Sequence, residues 1–539
     1  IDLIIFIGSI AASIRIINPF LTSKDQDPGV IVIDNKCSKI VPLIGLHQSN
    51  TQNISCQIAN LLGGEIIETN NSNDQSLLNL DAFGNQWGWK RSGKINDWSK
   101  LVIKQAKNEE IFCKQLSGNS LWKTSESAEI INQIDKKETE KPDSTFHVSI
   151  FENHGTTWHP PVLWIGIGCE RNTSKELIAN SLNNFLESEN LSQQSIAGFA
   201  TIDIKKDEKG ILELSEEKNL PIKFFSKEDL STIIVPNPSN VVQKEIGTPS
   251  VAEASCLLAA GEESKLLEEK RIFKNQSGAV TIAVAESKNQ YNPTHGEIHI
   301  IGSGPGDISF LTNNARKALS RCTVWIGYKM YLDLIKPLKR NDQVLIESKL
   351  TEEKERCSKA IKLAEEGIKV ALISSGESGF YGMAGLLLEL LQKIKKEYRP
   401  YFEVHPGISS VQLAAAISGA PLMNDFCSVS LSDKLTPWSL IEKRIEGALV
   451  GDFVIALFNP QSIERNWQLK SVIDICLQSR HGDTPVLIAR QVGRENQTKK
   501  FFTLNTIPFK EIDMLSIIII GNSQTTLVDE IFLTPRGYL

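Results

Sequence analysis

The chain has 539 residues, a formal charge of −6, 41% hydrophobic and 23% charged content, the balance of a soluble globular protein. Such a length exceeds one hydrophobic core and sets an expectation of roughly three or four domains. Mild acidity offers no basic field for nucleic acid, and nine cysteines without a C-x-x-C pair read as reduced thiols in a cytoplasmic protein rather than a disulfide framework.

The first segment, IDLIIFIGSIAASIRIINPF, is interrupted by Asp2 and Arg15 and is too short to span a bilayer. It lacks the basic start and cleavage pattern of a signal peptide, and is read as a buried strand entering a helix. The chain begins without Met. Residues 1–122 continue with short apolar runs at Val30–Ile33 and Ile40–Leu43 alternating with helix-like stretches. Residues 123–160 open on a polar, charged run read as a linker or exposed helix. A second block, 161–287, starts with VLWIGIGC from Val162 and ends on AVTIAVA, a good last strand. The turn-rich ESKNQYNPTHGE follows as a linker, and a third block covers 296–539. Short apolar runs alternating with amphipathic stretches predict a multidomain α/β protein.

In the third block the β-branched run Ile298–Ile301 leads into Gly302, Ser303, Gly304, Pro305, Gly306 and Asp307. Glycines at the carboxyl end of a strand permit a sharp turn and close approach to a ligand. A tight strand–helix turn with no ligand gives the same pattern. A dinucleotide fingerprint fits poorly, because the spacing is G-x-G-P-G and Pro305 breaks the expected helix start. The next strand, TVWIGY, carries no terminal acid for a ribose hydroxyl. A second loop after Lys369–Ile373 holds Ser374, Ser375, Gly376, Glu377, Ser378, Gly379, Phe380 and Tyr381, able to wrap a small ligand with backbone and hydroxyl groups. Val404–Ser410 is a third strand–turn–helix piece. There His405 reads either as a polar turn residue or as a functional imidazole. No metal-ligand cluster is legible in the spacing.

The ordered motifs GSGPGD, SSGESGFYGMA, HPGISSVQLAAAISGAPL and FVIALFNP, followed by NDFCSVSLSDKLTPW, GREN, IGNSQT and LTPRGY, resemble the tetrapyrrole methylases. Within that family they resemble precorrin-3B C17-methyltransferase, whose anaerobic-route counterpart acts on cobalt-factor III. The resemblance implies two α/β subdomains, S-adenosyl-L-methionine in the cleft between them, a tetrapyrrole substrate, and methylation at C17 with ring contraction. A homodimer and a site without a resident metal are also implied. Gly302, Gly304, Pro305, Gly306, Ser374, Ser375, Gly376, Glu377, Gly379, Phe380, Tyr381, Ala456, Phe458 and Asn459 are the implied cofactor residues. Asp307 is a candidate proton acceptor, with a helix cap as the competing role. Glu377 stands where the family usually has Asp, and Asn424 where related sequences carry His.

In the second block, Gly166–Ser174 could present backbone amides to an anion. With ATIDIKKDEKGILEL, VPNPSNVV and IGTPSVAEASCLLAAG it resembles the C-terminal domain of the cobalamin-biosynthesis protein G family, which opens the ring-A lactone of cobalt-precorrin-5A. The first block resembles that family's N-terminal and central parts, keeping His47 but not the paired glycines, and reading Glu68–Asp74 where a threonine-rich stretch is expected. Lactone hydrolase and non-catalytic binding module both stand for this half. Cys169 is a nucleophile or a packed small residue; Glu253 activates water or sits on a helix face.

Overall fold

The computed structural model describes residues 3–22, 27–45, 51–67, 77–134, 142–152, 155–275, 278–462 and 465–538. His47 and Glu68–Asp74 lie outside the described residues. The chain forms two compact units, Ile1–Tyr291 and Asn292–Leu539.

Among the described residues, the first unit holds three sheets. The N-terminal one orders its strands Leu3–Ile7, Gly29–Ile33, Lys39–Ile44 and Glu65–Ile66. Gly29–Ile33 is buried throughout, with Val30 and Val32 packing beside Ile17 on one face and Ile31 and Ile33 beside Ala59 on the other. Strand Leu3–Ile7 followed by helix Ile10–Ile17 matches the expected order. The strand is not buried as expected: it is the sheet edge, and Ile5 and Ile7 are exposed.

The second sheet orders Lys90–Ser92, Thr157–His159, Thr145–Val148, Ile111–Gln115 and Ile131–Gln133. Its core is aromatic. The Phe83 ring lies 5.1–5.8 Å from those of Trp89, Trp122, Phe146 and Trp158. Residues 123–160 are therefore not a linker in their described parts. They supply three of these five strands, and Ser125, Ser127 and Ala128 are buried. Polarity misleads there because Ile131–Gln133 is an edge strand with one buried residue.

The third sheet orders Ile222–Phe225, Ile196–Ile202, Leu163–Cys169, Gly278–Glu286 and Lys265–Asn275. Helices Lys175–Ser188 and Lys209–Lys218 contribute to the core on one face, and Ala252–Ala260 covers the other. The run AVTIAVA lies in the strand beside Leu163–Cys169. The expected linker after it is partly sewn into this unit: Gln290 accepts from Trp89 Nε1 (2.7 Å) and donates to the Trp87 carbonyl (2.6 Å).

The second unit has the two expected α/β subdomains. The first sheet is wholly parallel, ordered Val344–Ser348, Val324–Tyr328, Lys369–Ser374, Glu297–Gly302 and Tyr401–His405. The second is mixed, ordered Phe426–Ser430, Val454–Phe458, Ser516–Ile520, Pro485–Arg490 and Thr498–Thr503. Loops after Gly302, Ser374, His405 and Phe458 all leave carboxyl ends of strands, where ligands bind open α/β sheets.

Candidate functional site

Three loops meet at those strand ends. Gly304 and Gly376 form a two-bond bridge, N–H to carbonyl at 3.1 and 2.9 Å. A Cβ on Gly407 would lie 2.1 Å from the Gly376 carbonyl oxygen, and one on Gly302 would lie 2.5 Å from the Gly407 nitrogen. Gly306 is tied down similarly, since its Cβ would lie 2.3 Å from the Gly493 oxygen. These glycines let backbone pack on backbone. Backbone-on-backbone packing, a use not anticipated from the sequence, is what the missing side chains of Gly302, Gly306 and Gly407 permit.

Beside this junction lies a cleft of about 180 Å³. Of the expected cofactor residues, Pro305, Ser375, Gly376, Glu377, Phe380, Tyr381, Phe458 and Asn459 line it. The three aromatic rings stand 5.2–5.3 Å apart as a cluster. Tyr381 is fixed by its hydroxyl, which donates to the Ser428 carbonyl (2.9 Å). Asn459 Nδ2 donates to Ser430 Oγ at 3.0 Å. Ser378, fully buried in the same loop and not part of the cleft lining, has a hydroxyl without a hydrogen-bond partner.

The remaining expected residues do not line the cleft. Gly302 and Gly304 belong to the junction. Buried Ser374 accepts weakly from the Met383 N–H (3.4 Å). Gly379 N–H donates to Glu377 (2.7 Å), an interaction the longer Glu side chain reaches across two residues. Ala456 is buried in the core of the second subdomain.

Sequence reasoning missed Gln491, Val492 and the 514–517 segment, all of which line the cleft, and quoted Arg494 in the GREN motif without a role. Three lining residues share a backbone feature that the sequence does not display. Tyr381, Asn459 and Gln491 have φ of 58°, 50° and 51°, and non-glycine residues held there cluster at functional sites. Ser409 and Ser410, quoted in a motif but given no role, also line it.

Asp307 is exposed, and its carboxylate accepts the Ser309 N–H at 2.7 Å as the cap of a short 3₁₀ turn. That hydrogen bond holds the carboxyl below its usual range, so it is ionised at neutral pH. Asn424 caps locally, accepting the Asp425 N–H (2.9 Å). His405 is buried against His299, their ring nitrogens 2.9 Å apart, and burial pushes its pKa down. It is not the simple turn residue of one sequence reading.

In the first unit, Gly166 and Gly168 lie within strand Leu163–Cys169, with partners on both sides for Gly166. Gly168 is paired with Thr281 on one side, and beyond the strand the Glu170 N–H donates to the Ala279 carbonyl (3.1 Å). Burial pushes the Cys169 thiol up, against a thiolate nucleophile. Glu253 is fully buried and does not sit on an open helix face. One oxygen accepts from Asn237 Nδ2 (3.0 Å) and the Lys270 N–H (3.2 Å); the other has no hydrogen-bond partner.

A parallel sheet with loops joined at its carboxyl ends, a second mixed sheet, and a cleft with aromatic and strained residues define a two-subdomain α/β small-molecule site. Residues 297–508 match the tetrapyrrole (corrin/porphyrin) methylases, and the chain belongs to that family. Residues 1–73 match the N-terminal and 163–285 the C-terminal region of cobalamin synthesis G.

A probable cobalt-factor III C(17)-methyltransferase of Salmonella typhimurium is 44% identical over 241 residues, 45% of this chain and 99% of the relative. The cobalt-factor III methyltransferase of Priestia megaterium is 44% identical over 245 residues. Those residues are 45% of this chain, which spans only 45% of that relative's length. A crystal structure of the methyltransferase CobJ is 32% identical, covers 44% of this chain and 100% of its own, with a TM-score of 0.43.

Proposed function

We propose that residues 292–539 transfer a methyl group from S-adenosyl-L-methionine to C17 of cobalt-factor III or precorrin-3B, with ring contraction. The observation that carries this is the cleft, where the expected loops after Ser374 and Phe458 converge with Pro305. Its lining fits the cofactor: aromatic faces at Phe380, Tyr381 and Phe458 suit a cation, and the 375–377 loop borders it. Bound there, the cofactor supplies an electrophilic methyl on sulfur. The chain's task is to hold the substrate carbon in line with that methyl, which needs positioning more than acid–base power. Next to the cleft is a wider hollow of about 450 Å³ bordered by Lys329, Met330 and Lys349. Met330 and Tyr331 are adjacent in sequence and line one cavity each. Asp333 lines the hollow as well, and Lys329 is paired with Glu347 (2.8 Å).

Labelled S-adenosylmethionine incubated with the full chain and each precursor tests this. A labelled, C17-methylated, ring-contracted product is expected, and no transfer to either precursor refutes it.

Asp307 is the proposed proton acceptor. Asp307→Ala and Asp307→Asn are both expected to lower kcat by about 100-fold or more with cofactor affinity unchanged. Wild-type turnover in Asp307→Asn, which can still cap the turn, assigns the cap alone.

For residues 1–291 we propose opening of a ring-A lactone, after the match to cobalamin synthesis G. The rival is a non-catalytic tetrapyrrole-binding module. It is favoured by the raised Cys169 thiol and the enclosed Glu253. Acetaldehyde release from lactonised substrate by the full chain separates them. No helix among the described residues is long and apolar enough to cross a membrane, and the eight described cysteines are free.

A further inference from the structure

The two strands feeding the glycine junction carry a second constellation on one face. Glu297–Gly302 and Tyr401–His405 run parallel with His299 opposite Glu403 and Ile301 opposite His405. Alternation in a strand sends Glu297 and His299 to the same face as Tyr401, Glu403 and His405. His299 Nδ1 lies 2.9 Å from His405 Nε2 and 3.9 Å from Glu403 Oε2, and His405 Nε2 lies 3.8 Å from that oxygen. A triangle with these sides has a point about 2.1 Å from all three corners, the length of a zinc–nitrogen or zinc–oxygen bond.

We propose that His299, His405 and Glu403 form a binding site for a divalent first-row transition metal, outside the methyl-transfer cleft. The outer groups are arranged as such sites require. The far nitrogen of His299, Nε2, is 2.9 Å from Glu297 Oε2, and Glu297 is itself held by Lys369 Nζ at 2.6 Å. A carboxylate on one imidazole nitrogen fixes the tautomer with its proton there and leaves the lone pair on the other. That lone pair is on Nδ1, which faces His405. Both imidazoles are buried, whereas the Glu403 side chain is 47% exposed on an edge strand, giving the ion a route in and leaving room for water to complete the coordination. Two nitrogens and one carboxylate favour zinc, cobalt or nickel over magnesium and calcium. The ion would clamp the strand that ends in Gly302 to the strand that ends one residue before Pro406–Gly407, bracing the junction from beneath.

The test uses the full chain stripped with a chelator, then titrated with Zn²⁺ by calorimetry and with Co²⁺ by visible absorption. Wild type is expected to take up one additional equivalent relative to His299→Gln/His405→Gln, and to show cobalt ligand-field bands that the double variant lacks. Glu403→Gln, at a half-exposed position that spares the core, is expected to weaken Zn²⁺ binding by about 10-fold or more. Zn²⁺ at 100 times its Kd is expected to raise the Tm of wild type and not of the double variant. Equal uptake by wild type and double variant, whether zero or more, overturns the proposal and leaves a histidine–histidine hydrogen bond.

Discussion

Gly407→Ala is expected to abolish methyl transfer, with a loss of about 100-fold or more, because misplacing reacting groups by about 1 Å costs that much. The added Cβ would lie 2.1 Å from the Gly376 oxygen and 2.6 Å from the carbonyl carbon and oxygen of Gly302. All three are backbone atoms, so no side chain can swing aside. Relief requires the loops to part, which breaks the Gly304–Gly376 bridge and shifts Ser375, Gly376 and Glu377 at the cleft. Overpacking of this kind costs about 3 kcal/mol, which lowers Tm by roughly 6–12 °C in a unit of this size. Gly385→Ala is the control. Its Cβ would meet nothing within 4 Å on the helix Ala384–Gln392, and replacing an exposed helical glycine is neutral or stabilising. Wild-type turnover in Gly407→Ala would show that the junction does not set the geometry of the cleft.

The same junction shows what a sequence reveals. Strand runs such as Gly29–Ile33 and Glu297–Gly302 are legible because β-branched residues dominate them, with His299 the one polar residue inside the second, and the loop after Gly302 because glycines cluster. Eight of the fourteen expected cofactor residues line the cleft. Those that do not, such as Gly302, Gly306 and Ala456, carry residue types that serve backbone packing and ligand approach equally well. Only the distance to Gly407 or Gly493 separates the two uses. Gln491 and Met514 were invisible because they are ordinary residues in loops flanking strands of the second, mixed sheet, Gln491 just after Pro485–Arg490 and Met514 just before Ser516–Ile520. Gln491 is marked by a backbone angle, not by a composition. His299 and His405 are 106 residues apart, and parallel register alone brings them together. The N-terminal strand and the Ile131–Gln133 strand were misjudged for a common reason: an edge strand has one flank open to water, so its exposure does not follow its hydrophobicity.

Gly166→Ala is expected to disrupt the first unit while leaving S-adenosylhomocysteine binding by the second intact. Gly166 lies mid-strand, opposite Ala200 on one side and Ala283 on the other. A Cβ there would stand 1.9 Å from the Ala252 carbonyl oxygen and 3.1 Å from Cys256 Cβ. Helix Ala252–Ala260, rich in alanine and buried along most of its length, rests on the sheet at that point. Small residues on the helix and none on Gly166 allow this approach, so the pair acts as one packing device. Two strand neighbours pin Gly166, and the helix carries Glu253, which holds Asn237 and the Lys270 amide. Neither side has a flexible end to yield. The cost is expected at about 3 kcal/mol or above, read as a lower melting transition for the first unit and early loss of protection at Lys270 in hydrogen exchange. The contacts involved all lie within residues 1–291, so the cofactor cleft in 292–539 keeps its residues and its affinity. If S-adenosylhomocysteine binding instead falls in step with the first melting transition, the two units depend on each other for stability, and the methyl-transfer half cannot be treated as self-sufficient.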